Sequence, residues 1–221
     1  SEEKTERKTA REIIENYDGP KVRIMEVCGT HTHEIFRLGI RKLLPEQVEL
    51  ISGPGCPVCV TPVSFIDEAI YLALEKGVTI CTFGDLVRVP GTKMSLAGAR
   101  EQGADIHVVY SPADAEKYAG EHPDKQVTFL SVGFETTTPA SCLSVKAAKE
   151  NGLDNYSILT ANKTMPQAYE ALKGSADVFL YPGHVNAITG TRLCEALAEQ
   201  GVSGVVAGFT AKELMTALAV V

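Results

Sequence analysis

The chain has 221 residues, with 21 basic against 28 acidic side chains and a formal net charge of −7. Hydrophobic residues make up 44% and charged residues 22%, which fits a globular chain and excludes a disordered one. The acidic balance, with no Lys/Arg cluster, speaks against a dedicated nucleic-acid binder.

An N-terminal helical segment, residues 1–20, comes first. Lys21–Val27 is a short β-branched run ending at Cys28-Gly29 and is predicted to be a strand. His33–Leu44 carries Phe36, Ile40, Leu43 and Leu44 at helical spacing, with Pro45 as the stop. Val48–Ser52 is a strand that runs into Gly53-Pro54-Gly55. Ser64 is read as the cap of a helix with Ile66, Ala69, Ile70 and Ala73 on one face and Gly77 as its end. Val78–Phe83 is a strand, Ser95–Gln102 a short helix and Ile106–Tyr110 a strand. Pro112 then occupies the first position of a helix.

The rhythm continues with a strand at Val127–Val132, a helix at Ala140–Glu150 and a strand at Tyr156–Ala161. Thr164 and Gln167 open a helix with a capping-box pattern. A strand at Val178–Tyr181 ends in Pro182-Gly183-His184, a turn. A helix at Arg192–Gln200, a strand at Val205–Phe209 and a helix capped by Thr210 and Glu213 close the chain. Strands alternating with helices imply βαβ units and parallel sheets. The predicted architecture is α/β, with two Rossmann-like lobes whose parallel sheets are flanked by helices, assigned to residues 21–112 and 113–221. No apolar run approaches the ~18 residues of a membrane helix. The charged opening Ser1–Glu12 lacks the pattern of a secretory leader, so the chain is expected to be cytoplasmic.

In open α/β sheets, ligands bind beyond the carboxyl ends of the strands. The unusual residue clusters sit at such ends. Cys28, between a strand and a helix N-terminus, feels a dipole that favours thiolate, the form that attacks or binds metal. His31 and His33 follow within the same turn and can bind metal or move protons. Cys56 and Cys59 form a CxxC in a loop fixed by prolines and glycines, able to close as a disulfide or share a metal. Glu135, in Gly133-Phe134-Glu135-Thr136-Thr137-Thr138-Pro139, is a candidate acid/base group. Plainer roles suit the same residues: a buried thiol with capping histidines, structural thiols in a tight turn, a threonine-rich helix cap. Six cysteines are too sparse for a disulfide scaffold, and Cys81, Cys142 and Cys194 have unremarkable strand or helix settings.

With these residues set out, the chain resembles HypD, the iron–sulfur scaffold proteins of [NiFe]-hydrogenase maturation. The resemblance rests on MEVCGTHTH (Met25 to His33), GPGCPVCVTP (Gly53 to Pro62), TFGDLVRVPG (Thr82 to Gly91), VGFETTTP (Val132 to Pro139), PGHV (Pro182 to Val185) and VVAGF (Val205 to Phe209). It implies a metallocentre-assembly scaffold with a redox role, helping to build an Fe(CN)2CO centre with a HypC-type chaperone and a HypE-type cyanide donor. Carried over by motif, Cys28 binds the iron and His31 assists ligand or proton handling. Cys56 and Cys59 are either further iron ligands or a redox dithiol. A [4Fe-4S] cluster is implied for the full-length family but not for this chain, because the cluster cysteines are expected beyond VVAGF. Asn162–Pro166 and Thr210–Leu214 depart from the family pattern. Two alternatives remain at this point: a thiol–disulfide oxidoreductase using Cys56 and Cys59, and a zinc-stabilised binding module with Cys28, Cys56, Cys59 and a histidine as ligands.

Overall fold

A computed structural model describes residues 9–53 and 55–221. Residues 1–8 of the expected N-terminal segment and Pro54 of the second motif lie outside the described residues. The elements alternate from helix α1 (Ala10–Glu15) through strand β1 (Val22–Glu26), α2 (Gly29–Arg37), β2 (Val48–Ser52), α3 (Val63–Lys76), β3 (Thr79–Thr82) and α4 (Leu96–Glu101) to β4 (Ile106–Val108). They continue with α5 (Pro112–Glu121), β5 (Val127–Ser131), α6 (Thr138–Glu150), β6 (Tyr156–Thr160), α7 (Met165–Ala171) and β7 (Val178–Pro182). The last four are α8 (Gly183–Thr189), α9 (Arg192–Glu199), β8 (Ser203–Ala207) and α10 (Ala211–Val220).

Two four-stranded sheets form, in orders β2-β1-β7-β8 and β4-β3-β5-β6. Every pairing between these strands is parallel. The α/β reading with two Rossmann-like lobes is therefore correct. The lobes, however, do not divide the chain at 112/113. One compact unit holds Ser1–Cys56 and Pro166–Val221, and the other is Pro57–Met165. The second unit is thus an insertion within the first. Strand–helix alternation is the same whether a strand joins the preceding sheet or starts another, so the pattern contains no signal for this exchange.

The first unit packs its sheet around Ile24, Leu50, Val178 and Leu180, covered by Ile14 of α1, Ile35 of α2 and Leu214 and Leu218 of α10. Thr9 and Thr210 close capping boxes with Glu12 and Glu213 at the two covering helices α1 and α10. The second unit buries all of β3 and β5 between α3 and α4 on one side and α5 on the other. The buried hydroxyls of Thr79, Thr128 and Ser131 in these strands find partners in Asp105, Ser157 and Ser141.

Three local expectations change. The helix expected to be capped by Ser64 begins at Val63 with Pro62 as its N-cap, so Ser64 lies inside its first turn. The helix expected over His33–Leu44 starts earlier and stops at Arg37, followed by Gly39 at φ 66° and a short 3-10 turn over Ile40–Leu43. Its buried face is His31 and Ile35, and Phe36 is 80% exposed. The i, i+4 pair facing the sheet includes a histidine, which an apolar count overlooks. The Pro182-Gly183-His184 turn instead opens α8 directly from β7. Among the described residues, no helix is long and apolar enough to cross a membrane.

Candidate functional site

The register of the first sheet fixes what lies beyond its strand ends. Glu26 pairs with Ser52 on one side and Leu180 on the other, and Pro182 pairs with Ala207. Counting onward brings Gly55, Gly29, Gly183 and Gly208 to the same level past the strand ends, with Gly29 and Gly183 opening α2 and α8. Backbones approach closely there. A Cβ on Gly55 would lie 2.2 Å from the Val27 carbonyl oxygen and 2.5 Å from Cys28 Cα, and one on Gly183 would lie 2.9 Å from the Ala207 carbonyl oxygen. Non-glycine side chains at either position would collide with main chain, which cannot rotate away.

Cys28 is the N-cap of α2, with extended backbone angles of φ −116° and ψ 130° and no side-chain capping bond. Its residue is 9% exposed and buried. The Gly29 N–H donates to the Gly55 carbonyl at 3.4 Å, which seats the loop after β2 on the turn that carries Cys28. Cys56 follows directly and is half-buried. The two thiols thus stand at the carboxyl ends of neighbouring strands in one sheet.

His31 is fully buried. Its Nε2 lies 2.9 Å from the Gly208 carbonyl and 3.2 Å from the Ala207 carbonyl, so Nε2 carries the proton and donates to the end of β8. Nδ1 is buried with no hydrogen-bond partner. Burial holds the imidazole below its ordinary pKa against the pull of these carbonyls, which favours the neutral ring. The ring of Phe209 packs at 4.7 Å from that of His31 and at 5.0 Å from that of His184, which opens α8. His31 therefore ties β1 and α2 to β8 and presents no ring nitrogen to solvent. His33 is exposed, 3.9 Å from Glu34.

Beneath this face, Glu26 ends β1 with 0% exposure. Its Oε1 accepts from Arg41 Nη2 at 2.7 Å and its Oε2 from the Ser52 hydroxyl at 3.4 Å. Neither this pair nor Phe209 was singled out from the sequence. The signal for Glu26 was present: an acidic residue between Ile24, Met25 and Val27, at the end of the strand run, demands a buried partner.

The CxxC is divided between the units, with Cys56 closing the first segment of one and Cys59 near the start of the other. In the second unit, Val58 packs against the core, and Thr61 bonds back to the Pro57 carbonyl at 2.9 Å, which fixes the turn bearing Cys59. Cys59 is exposed. Glu135 lies after β5. Its Oε1 accepts from the Met165 N–H at 2.8 Å, and its Oε2 is buried without a hydrogen-bond partner. Glu135 holds the start of α7, and the structure does not place it with Cys28 in one unit. Among the described residues, no three His, Cys, Asp or Glu side chains gather as a group able to hold a metal ion.

The remaining thiols are dispersed. Cys81 is buried in β3 and burial pushes its thiol up to about 12, Cys142 is exposed on α6, and Cys194 is half-buried on α9. These three do not share an element, which agrees with their reading as unremarkable thiols.

A family model described as the hydrogenase formation hypA family, HypD, matches residues 4–221. The chain belongs to the HypD family. It is 45% identical over 212 residues to the hydrogenase maturation factor HypD of Cupriavidus necator, covering 90% of this chain and 56% of that protein. The Escherichia coli K12 factor of the same name is 44% identical over 199 residues, covering 88% and 53%. That of Azotobacter vinelandii is 42% identical over 226 residues, covering 97% and 60%. The chain thus spans little more than half the length of these HypD relatives. The six segments that carry the HypD resemblance fall at the carboxyl ends of β1, β2, β3, β5, β7 and β8.

Proposed function

We propose that this chain serves [NiFe]-hydrogenase maturation as the part of a scaffold on which an Fe(CN)2CO fragment is assembled. The iron fragment is the cargo. The observation that carries this reading is the placement of Cys28 and Cys56 at the ends of adjacent parallel strands, joined through the Gly29–Gly55 contact. A soft thiolate suits iron with strong-field ligands better than a carboxylate does.

Cys56 and Cys59 then act as further ligands or as a dithiol that supplies electrons on closing to a disulfide. His31 acts differently from a solvent-facing acid/base group. With Nε2 committed to the β8 carbonyls, it fixes the turn that bears Cys28. A HypC-type chaperone and a HypE-type cyanide donor are the partners this reading requires, and the compartment is the cytoplasm. The [4Fe-4S] cluster that the family resemblance implies is assigned to cysteines expected beyond VVAGF in the family's longer chains.

Anaerobic co-purification with the chaperone, followed by metal analysis, tests the reading. Stoichiometric iron that disappears in Cys28→Ala supports it. Zinc in place of iron, or iron retained by Cys28→Ala, contradicts it.

A further inference from the structure

We propose that Gly55 is a positioning residue that seats the Cys56 loop on the backbone of Cys28. This deepens the shared-thiol reading given above and rests on it. The argument starts from space. A Cβ at Gly55 would stand 2.2 Å from the Val27 carbonyl oxygen, 2.5 Å from Cys28 Cα and 2.6 Å from the Gly29 nitrogen. All three are main-chain atoms at the end of β1 and the start of α2. No rotamer change relieves such a clash. The loop must lift away or the strand end must bend.

Gly29 offers the contrast. A Cβ there would meet only the Gly55 carbonyl, at 3.7 Å, which is ordinary contact. Gly29 is also the first residue of α2, a position that accepts alanine. The two glycines flank the same hydrogen bond, from Gly29 N–H to the Gly55 carbonyl. Sequence treats them alike, and the structure separates them. The absent side chain at position 55 lets the chain carry Cys56 up to Cys28. The absent side chain of Gly29 contributes little to that approach, and its N–H, which alanine would keep, makes the bond to Gly55.

The test uses the full chain with Cys59→Ser, which removes the competing partner of Cys56. Diamide is added, and closure of Cys28 onto Cys56 is followed by peptide mass. As the S–S bond forms, each thiol gives up a proton and one electron, and the N=N bond of diamide is reduced to a hydrazine. Gly55→Ala is expected to slow closure about tenfold or more, because the loop now reaches Cys28 only in a minor state. Gly29→Ala is expected to close at the parent rate. Amide exchange is measured on the same proteins. The Gly29 amide should exchange faster in Gly55→Ala while the β1 and β7 amides keep their protection.

Closure of Gly55→Ala at the parent rate would overturn the proposal. So would lost protection across β7, since Gly55 would then be holding the whole unit rather than one loop. If the parent itself fails to close Cys28 onto Cys56, the shared-thiol reading is the one that fails. The Gly29 amide then still decides the seating, and unchanged exchange in Gly55→Ala overturns it.

Discussion

Arg41→Ala should destabilise the first unit far more than an exposed arginine normally would. Glu26 is 0% exposed, and Arg41, 41% exposed, is its ion-pair partner at 2.7 Å. Deleting the guanidinium leaves the carboxylate in the interior with the Ser52 hydroxyl at 3.4 Å as its remaining partner. Removing one side of a buried pair costs about 3–5 kcal/mol, and the partial exposure of Arg41 places this case near the lower end. The Leu50 carbonyl, which accepts from Arg41 Nη1 at 3.0 Å, loses its side-chain donor as well. An expected loss of about 3 kcal/mol follows. Glu26→Gln keeps a neutral acceptor and should cost about 1–2 kcal/mol. In that background Arg41→Ala strands no charge and should cost about 1 kcal/mol. The double-mutant cycle should therefore show a coupling of about 2 kcal/mol. Urea unfolding followed by circular dichroism gives the totals. Hydrogen exchange of the β1 and β2 amides reads the first unit separately, because two units need not unfold together. A cost below about 1 kcal/mol for Arg41→Ala, or an additive cycle, would show that Arg41 is not what holds the buried carboxylate.

Other outcomes follow from the same structure. Burial pushes Asp105 up, but hydrogen bonds from Lys125, Thr79 and His107 override it and hold the carboxyl at about 2, against an ordinary 3.8. A depressed acid contributes stability that is complete above the unfolded value and lost as pH falls through the folded one. The second unit should therefore weaken between pH 3.8 and about 2, and Asp105→Asn should flatten that slope in acid denaturation. His31 has the opposite chemistry but the same sign. Burial lowers its folded pKa, so the unfolded chain binds the proton more readily and the first unit should lose stability as pH falls below 6.5. His31→Gln should reduce that dependence in pH-resolved unfolding, with His184 of the same unit, likewise lowered by burial, supplying the remainder. Iodoacetamide under native conditions should modify exposed Cys142 and leave Cys81, buried and pushed up to about 12, untouched. Early labelling of Cys81 by peptide mass would contradict its placement in β3.

Much of this fold was legible because its signals are local. Gly77 and Pro112 marked helix boundaries, and Thr210 with Glu213 formed the expected capping box. The fully buried β3 and β5 showed as short runs rich in β-branched and apolar residues between helix signals, although Thr79, Thr82, Thr128 and Ser131 interrupt the apolar pattern. Which sheet a strand joins is a long-range matter, so the insertion of Pro57–Met165 was invisible. The site was half legible for a similar reason. Cysteines beyond strand ends point to a ligand face by residue type and position. The burial of Cys28, the commitment of His31 Nε2 to Ala207 and Gly208, and the steric role of Gly55 all arise between segments far apart in sequence or in adjacent loops. Glu135 shows the converse. A carboxylate in a threonine-rich turn looked like an acid/base group, yet its Oε1 holds the first amide of α7.

The proposed role of Cys28 is tested most directly by infrared spectroscopy of the chain purified anaerobically after co-expression with a HypC-type chaperone. Cys28→Ala should abolish the cyanide and carbonyl stretching bands while circular dichroism shows the fold intact. Cys142→Ala, on the exposed face of α6, should leave both sets of bands at parent intensity. Bands of full intensity in Cys28→Ala would mean that the iron fragment is held by another residue, and the assignment of Cys28 as its thiolate would be wrong.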